Sequence, residues 1–178
     1  HKNIGNIYKF CKKHSYNSLS YFIKISDLIF HFAATNRSDE KKDFINNNEE
    51  LTKIVCEELK KSTHQKKIIY TSSTQSGNAE KTIYGLKSVS NIKPIIYKLP
   101  GIFGKWSKPN YNSVVATFCY NSINNIELEV HDKDKLIKLM YIDDLVSEFM
   151  THLNIEIDNP HMNDIVTYDI SLGNLALK

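Results

Sequence analysis

Tyr84 and Lys87, three positions apart, are the residues in this sequence whose types and spacing best suit proton transfer. A tyrosine phenol has a pKa of about 10 in water, and a nearby ammonium favours its ionised form. If the two side chains share one face of a helix, the tyrosine can protonate a carbonyl oxygen as hydride reaches the carbon. Taken alone, the spacing fits a surface tyrosine and a surface lysine equally well, so both interpretations stay open.

Three hydroxyl residues, Ser72, Ser73 and Thr74, precede this pair in the chain. The hydroxyl of Ser73, or of neighbouring Thr74, could hydrogen-bond a substrate carbonyl and hold it beside Tyr84. Serine and threonine also suit turns for conformational reasons alone. The pattern therefore predicts a site for carbonyl reduction, with a simple turn as the alternative.

Short apolar runs predict the strands that would position these residues. The runs cover residues 27–34, 67–72 and 93–99, and such runs are typical of strands buried on both faces. A pattern with helical periodicity and apolar residues on one face lies between the first two runs. Alternating strands and helices predict an α/β protein with a parallel sheet and right-handed crossovers.

The second half of the chain predicts shorter elements. We expect a helix over residues 111–123, with Val114, Val115, Phe118 and Cys119 facing inward. Acidic residues favour a helix N-terminus, so Asp143 and Asp144 predict a helix that runs to His152. Short strands are expected over residues 126–130, 136–141 and 165–170.

Ligands of open parallel sheets bind beyond the carboxyl ends of the strands. The three ends predicted here lie at residues 33–37, 72–74 and 100–104. The small side chains of Ala33 and Ala34 would let a cofactor approach the backbone closely. Small residues also favour turns for their own sake, so this alternative stays open too.

Composition narrows the class of protein. The net charge is +3, and 22 of the 23 basic residues are lysines without clustered arginine, which argues against a nucleic-acid reader. No apolar stretch approaches the roughly 20 residues of a membrane span. The cysteines, three in number and far apart, argue against disulfides and against a zinc site. We therefore expect a cytoplasmic protein that binds no metal.

In their order, these segments resemble the extended short-chain dehydrogenase/reductases, a family of NAD-dependent epimerases and dehydratases. Within it, the resemblance is strongest to the UDP-sugar 4-keto reductases of bacterial capsular polysaccharide synthesis. The segments that carry it are DLIFHFAATNR at 27–37, SSTQ at 72–75, YG at 84–85, LPGIFGKWSKPNYNSVVATFCY at 99–120 and YIDDLV at 141–146. The run from 103 to 120 is the most specific of them.

The resemblance implies roles for individual residues. Tyr84 would be the catalytic acid, with Lys87 beside it and Ser73 or Thr74 holding the carbonyl. The family's positions near a bound NAD or NADP match Gly5, Ala33, Ala34, Asn48 and Pro100. Its substrate-side loop matches residues 105–112, which include the substrate-binding candidates Lys105, Asn110 and Asn112. A UDP-sugar substrate and a homodimer are further implications.

The sequence departs from the family pattern at several points. The Gly-rich phosphate turn is absent, and Gly5 alone could correspond to its last glycine. The family places lysine four residues after the tyrosine, where this chain has Ser88. Only six residues separate Lys87 from Pro94, too few for the amphipathic helix expected there. Gly101 stands where the family commonly has asparagine.

We therefore expect one partial dinucleotide-binding domain over residues 1–178. Residues 1 to about 100 would form a parallel Rossmann-type sheet, incomplete at the N-terminus, and residues from about 101 a small substrate-binding region. The function implied is an NAD(P)-dependent reductase or epimerase acting on a UDP keto-sugar. The alternative is a non-catalytic remnant that keeps a binding or subunit-contact surface.

Overall fold

The computed structural model describes residues 5–11, 13–32, 41–72, 77–153 and 165–178, without the side chains of residues 41–48. These residues form two compact units, one ending at Lys98 and the other beginning at Leu99. The α/β architecture agrees with the class that the alternating apolar runs predict.

The first unit is built around a parallel sheet of three strands, β1 (Leu28–His31), β2 (Lys66–Ser72) and β3 (Ile92–Lys98), in the order β1-β2-β3. Leu28 is paired with Lys67, and at the other end Ser72 is paired with Lys98. The apolar runs form strands because their side chains are buried in the unit: Ile68 and Ile69 are fully buried. The predicted strands are confirmed, with shorter bounds at the first.

Three helices and a 3₁₀ turn accompany this sheet: α1 (Tyr16–Ile25), α2 (Lys41–Lys60), α3 (Asn78–Tyr84) and the turn Gly85–Ser88. Helix α1 was not anticipated from the sequence, although Ser15 caps it by accepting a hydrogen bond from the Ser18 N–H. The helices bury apolar side chains in one core with the sheet, and this core includes Leu19, Ile23, Val55, Cys56, Leu59, Ile68, Ile83, Leu86 and Ile92.

A buried carboxylate fastens α1 to α2. Glu58 of α2 is 5% exposed, and its oxygens accept hydrogen bonds from the Tyr16 hydroxyl, the Ser20 hydroxyl (2.5 Å) and the Lys61 ammonium. These donors lower the pKa of Glu58 to about 2, Lys61 having the largest effect. A buried carboxylate is tolerated here because each oxygen is hydrogen-bonded.

We expect Glu58→Gln to lower the free energy of unfolding by about 2 kcal/mol, since hydrogen bonds to a charged group are lost. The folded pKa lies below the unfolded value of 4.5, so this contribution is present above pH 4.5 and is lost as the pH falls towards 2. Urea unfolding at pH 7, 4 and 3 measures it, and Glu57→Gln at the exposed neighbour is the control. Equal pH dependence of the Glu58 and Glu57 variants would contradict this account.

The second unit contains β4 (Gly101–Phe103), α4 (Val114–Ile123), β5 (Leu136–Tyr141), α5 (Ile142–Thr151), β6 (Thr167–Ser171) and α6 (Leu172–Ala176). Its sheet has the order β4-β5-β6. Strand β5 is parallel to β4 but antiparallel to β6, with Leu136 paired with Ser171. The second sheet is therefore mixed; the sequence predicts short strands here without indicating their orientation.

Two details of this unit differ from expectation. Residues 126–130 form no strand, although their apolar and polar residues alternate. Helix α4 begins at Val114 rather than 111, and Cys119, predicted to face inward, is exposed. Val114, Val115 and Phe118 are half-buried. The apolar periodicity of α4 therefore predicted more burial of these four side chains than the structure shows.

Candidate functional site

Tyr84 and Lys87 lie together at the C-terminal end of α3. Tyr84 is the last residue of the helix, and its side chain is 59% exposed. The Lys87 Nζ atom lies 4.4 Å from the centroid of the Tyr84 ring. A cation at this distance is attracted to the face of the ring. The pair predicted from sequence is therefore formed in the structure.

The helix type changes at this pair. The α-helix ends at Tyr84, and Gly85–Ser88 forms a 3₁₀ turn that contains Lys87. In a 3₁₀ helix residues i and i+3 eclipse, whereas an α-helix separates them by 60°. The turn thus brings a lysine at position i+3 over the tyrosine. Ser88, at the family's lysine position, instead donates a hydrogen bond to the Gly85 carbonyl (2.9 Å).

The ends of β2 and β3 meet α3 through Glu80. The Ser72 hydroxyl donates a hydrogen bond to Glu80 Oε2 (2.8 Å), and the Lys98 ammonium lies 3.1 Å from Glu80 Oε1. Ser72 is buried, and it ends the strand from which the chain continues to Ser73. Ser73 and Thr74 themselves lie outside the described residues, so their predicted role stays a prediction. Sequence inspection missed Glu80, although its position four residues before Tyr84 was a usable indication.

A second polar group lies at the carboxyl end of β1. The His31 ring is buried, and its Nε2 atom lies 2.9 Å from the Thr52 hydroxyl oxygen. Burial lowers the pKa of His31 to about 4, so the ring is neutral at pH 7. The pKa of Tyr70 is raised by burial and by Glu80. A neutral, hydrogen-bonded histidine therefore lies at the carboxyl end of β1 and contacts the Tyr70 ring.

The cofactor candidates are only partly described. Ala33 and Ala34 lie outside the described residues, and Asn48 falls within α2 with its side chain outside them. Gly5 has φ of +73° and lies in an exposed irregular segment, and the next described helix begins at Tyr16. Gly5 therefore does not open a helix, which is what the last glycine of a phosphate turn does. Its assignment to the cofactor remains a prediction.

The candidate binding residues of the second unit lie directly before β4 and in the loop that follows it. Pro100 directly precedes β4 and is half-buried, while Lys105, Asn110 and Asn112 are exposed. Lys105 Nζ lies 2.6 Å from Asp143 Oδ2, and this hydrogen bond raises the pKa of the Lys105 ammonium. Asn110 has φ of +55°, and its N–H donates to the Thr117 hydroxyl (2.9 Å).

The backbone of this loop is constrained at its start. Gly104 has φ of +124°, and a Cβ there would lie 2.6 Å from the Tyr141 ring, so only glycine fits. Trp106, the single tryptophan of the chain, follows with φ of +66° and is 98% exposed. The conformation at the start of the loop therefore requires glycine at position 104, and the residues that follow expose polar and aromatic side chains to solvent.

The described residues contain no cluster of three metal-binding side chains. Among the helices in the described ranges, none combines the length and apolarity that a membrane crossing requires.

No family model matches the sequence. A UDP-2-acetamido-2,6-beta-L-arabino-hexul-4-ose reductase of Pseudomonas aeruginosa is 35% identical in an alignment of 178 positions, which spans 94% of this chain and 48% of the relative. The chain thus spans about half the length of this curated relative. The capsular polysaccharide assembling protein CapF of Staphylococcus aureus is 27% identical, with a TM-score of 0.66 over 90% of this chain and 45% of CapF.

A UDP-glucose 4-epimerase of Thermus thermophilus, solved in complex with NAD, has the same fold at 10% identity. Its TM-score is 0.71, over 92% of this chain and 64% of the epimerase. The parallel sheet and the similarity to the keto-sugar reductase and to CapF indicate the class: the chain resembles the extended short-chain dehydrogenase/reductase family. Within that family it is similar to the keto-sugar reductase and to CapF.

Proposed function

We propose that this protein acts as an NAD(P)-dependent reductase or epimerase of a UDP keto-sugar in surface polysaccharide synthesis. The observation that carries the proposal is the Tyr84–Lys87 pair, at 4.4 Å, in a chain 35% identical to a UDP-keto-sugar reductase. A carbonyl substrate needs a proton donor at its oxygen, and the pair supplies one.

The proposed chemistry divides between cofactor and protein. A bound nicotinamide would supply the hydride at the carbonyl carbon, or accept it in the reverse direction. Tyr84 gives its proton to the carbonyl oxygen, and the Lys87 ammonium stabilises the phenolate that results. Ser73 or Thr74 holds the carbonyl oxygen by a hydrogen bond. The exposed position of Tyr84 leaves its hydroxyl accessible to a substrate.

The substrate contacts are proposed for the loop after β4. Lys105, Asn110 and Asn112 offer an ammonium and two amides, which suit the diphosphate and sugar hydroxyls of a nucleotide sugar. In the structure Lys105 is already hydrogen-bonded to Asp143, so it would bind a phosphate as part of an ion-paired group. Pro100 is the candidate beside the nicotinamide.

The described residues are better suited to contact the nicotinamide, which is the reacting end of the cofactor, than to contact the cofactor's phosphates. Tyr84, Lys87 and the strand end at Ser72 are suited to the nicotinamide and the carbonyl. The sequence contains no Gly-x-x-Gly-x-x-Gly turn, and Gly5 does not open a helix. The second candidate is a non-catalytic protein with a binding or subunit-contact role.

Cofactor titration separates the two candidates. We expect saturable binding of NADH or NADPH, seen as a change in nicotinamide fluorescence, with a Kd on the order of 10–1,000 μM. Lys138→Met, at an exposed residue of the second unit, serves as the control and should leave binding unchanged. Failure to bind either cofactor up to millimolar concentration would favour the non-catalytic candidate. The same titration decides between NADH and NADPH.

Two further assignments belong to this proposal. The protein is proposed to act in the cytoplasm, from its few and separated cysteines, and to form a homodimer, from the family resemblance.

Cys56 is buried in the first unit, and burial raises the pKa of its thiol to about 11, which suits an unreactive structural residue.

A further inference from the structure

We propose that Glu80 is a positioning residue, which holds the helix bearing Tyr84 against the strand ends that lead into Ser73. This inference rests on the proposed reduction or epimerisation. It concerns a residue that neither spacing nor similarity had suggested.

The carboxylate of Glu80 bridges two neighbouring strands. Its Oε2 accepts a hydrogen bond from the Ser72 hydroxyl at 2.8 Å, and its Oε1 lies 3.1 Å from the Lys98 ammonium. Ser72 and Lys98 are partners in the register of β2 and β3, and each is the last residue of its strand. One side chain therefore joins the ends of both strands to the first turn of α3.

The position of Glu80 on α3 connects this bridge to Tyr84. The two residues are four apart, so they lie about one turn apart near the same face of the helix. Helix α3 has seven residues, and a helix this short is not stable by itself. Its orientation depends on anchors, which are the buried Ala79 and Ile83 on its apolar side and Glu80 on its polar side.

The environment of Glu80 makes the bridge effective. The Glu80 side chain is 21% exposed, so solvent screens it less than it screens a surface pair, whereas the Lys98 side chain is 67% exposed. The bond from buried Ser72 is therefore the stronger anchor, because an exposed ion pair contributes little. Reaction rates are sensitive to displacements of about 1 Å, so a loosened α3 would lower turnover before it lowered substrate affinity.

Four variants test the proposal. Glu80→Ala removes the contacts with both Ser72 and Lys98. Glu80→Gln keeps an oxygen that can accept the Ser72 hydrogen bond, and Lys98→Met removes only the ion pair. The control is Lys138→Met, which removes an exposed ion pair of the second unit. We expect Glu80→Ala to lower kcat about 10- to 100-fold with KM changed less than twofold. Glu80→Gln should lose less, Lys98→Met least, and the control nothing.

Hydrogen exchange supplies a readout that does not depend on turnover. In Glu80→Ala, amides 81–84 of α3 should exchange about tenfold faster than in the original protein, while amides 19–23 of α1 keep their rates. Unchanged α3 exchange would overturn the proposal. So would unchanged kcat at temperatures well below Tm, since Glu80 would then be merely structural. Lack of turnover in the original protein would contradict the proposed reaction instead, and exchange alone would then decide whether Glu80 positions α3.

Discussion

Tyr84→Phe is expected to lower turnover of a UDP keto-sugar by about 1,000-fold or more, because the general acid is removed. The variant keeps the aromatic ring, so the cation–π contact with Lys87 at 4.4 Å is retained. The side chain is 59% exposed, and loss of its hydroxyl should leave Tm unchanged. Loss of NADH absorbance at 340 nm in the presence of substrate measures the rate.

Tyr21→Phe is the matched control for this experiment. Tyr21 lies on α1 with its side chain 58% exposed, so the same hydroxyl is removed from an equally exposed tyrosine away from the pair. We expect its kcat to equal that of the original protein. Unchanged turnover in Tyr84→Phe would refute the assignment of Tyr84 as the acid.

Lys87→Met is expected to lower kcat by about 100-fold, because the ammonium beside the phenolate is removed. Methionine keeps a long side chain that can lie on the Tyr84 ring, so packing is largely preserved. Lys81→Met, at an exposed lysine on the same helix, is the control and should keep full activity. Steady-state kinetics with saturating cofactor separates kcat from KM.

Exchanging the residues at positions 87 and 88 gives the sharper test. The double variant Lys87→Ser/Ser88→Lys restores the family's spacing, which on an α-helix would retain activity. Because Gly85–Ser88 is a 3₁₀ turn, residue 88 lies about 120° away from the direction of residue 87. We therefore expect the exchange to be as inactive as Lys87→Met. Activity equal to that of the original protein would mean that the working conformation is α-helical here.

The strands could be predicted from sequence because their burial leaves a local trace. A strand covered on both faces must be apolar along its length, and the runs at Ile68–Ile69 and Ile95–Ile96 satisfy this requirement. Their parallel arrangement followed from the alternation with helices. The pattern was less informative in the second unit, whose sheet is mixed and whose residues 126–130 form no strand.

Other features depend on partners that are distant in the chain. Helix α1 is secured by the bonds from Tyr16 and Ser20 to Glu58, about forty positions away, so its own sequence indicated it weakly. Cys119 fits an apolar helical face yet is exposed, because periodicity describes a face but not what covers it.

For the candidate site, the sequence by itself determined the kinds of residues and their order: a hydroxyl cluster, then Tyr84 and Lys87, then the loop that begins at Gly104. Only the tertiary structure decided how Tyr84 and Lys87 meet. Because α3 ends at Tyr84 and tightens into a 3₁₀ turn, a lysine at i+3 reaches the ring. Glu80 became recognisable only once β2 and β3 had brought Ser72 and Lys98 side by side, since no local pattern encodes a contact between strand ends.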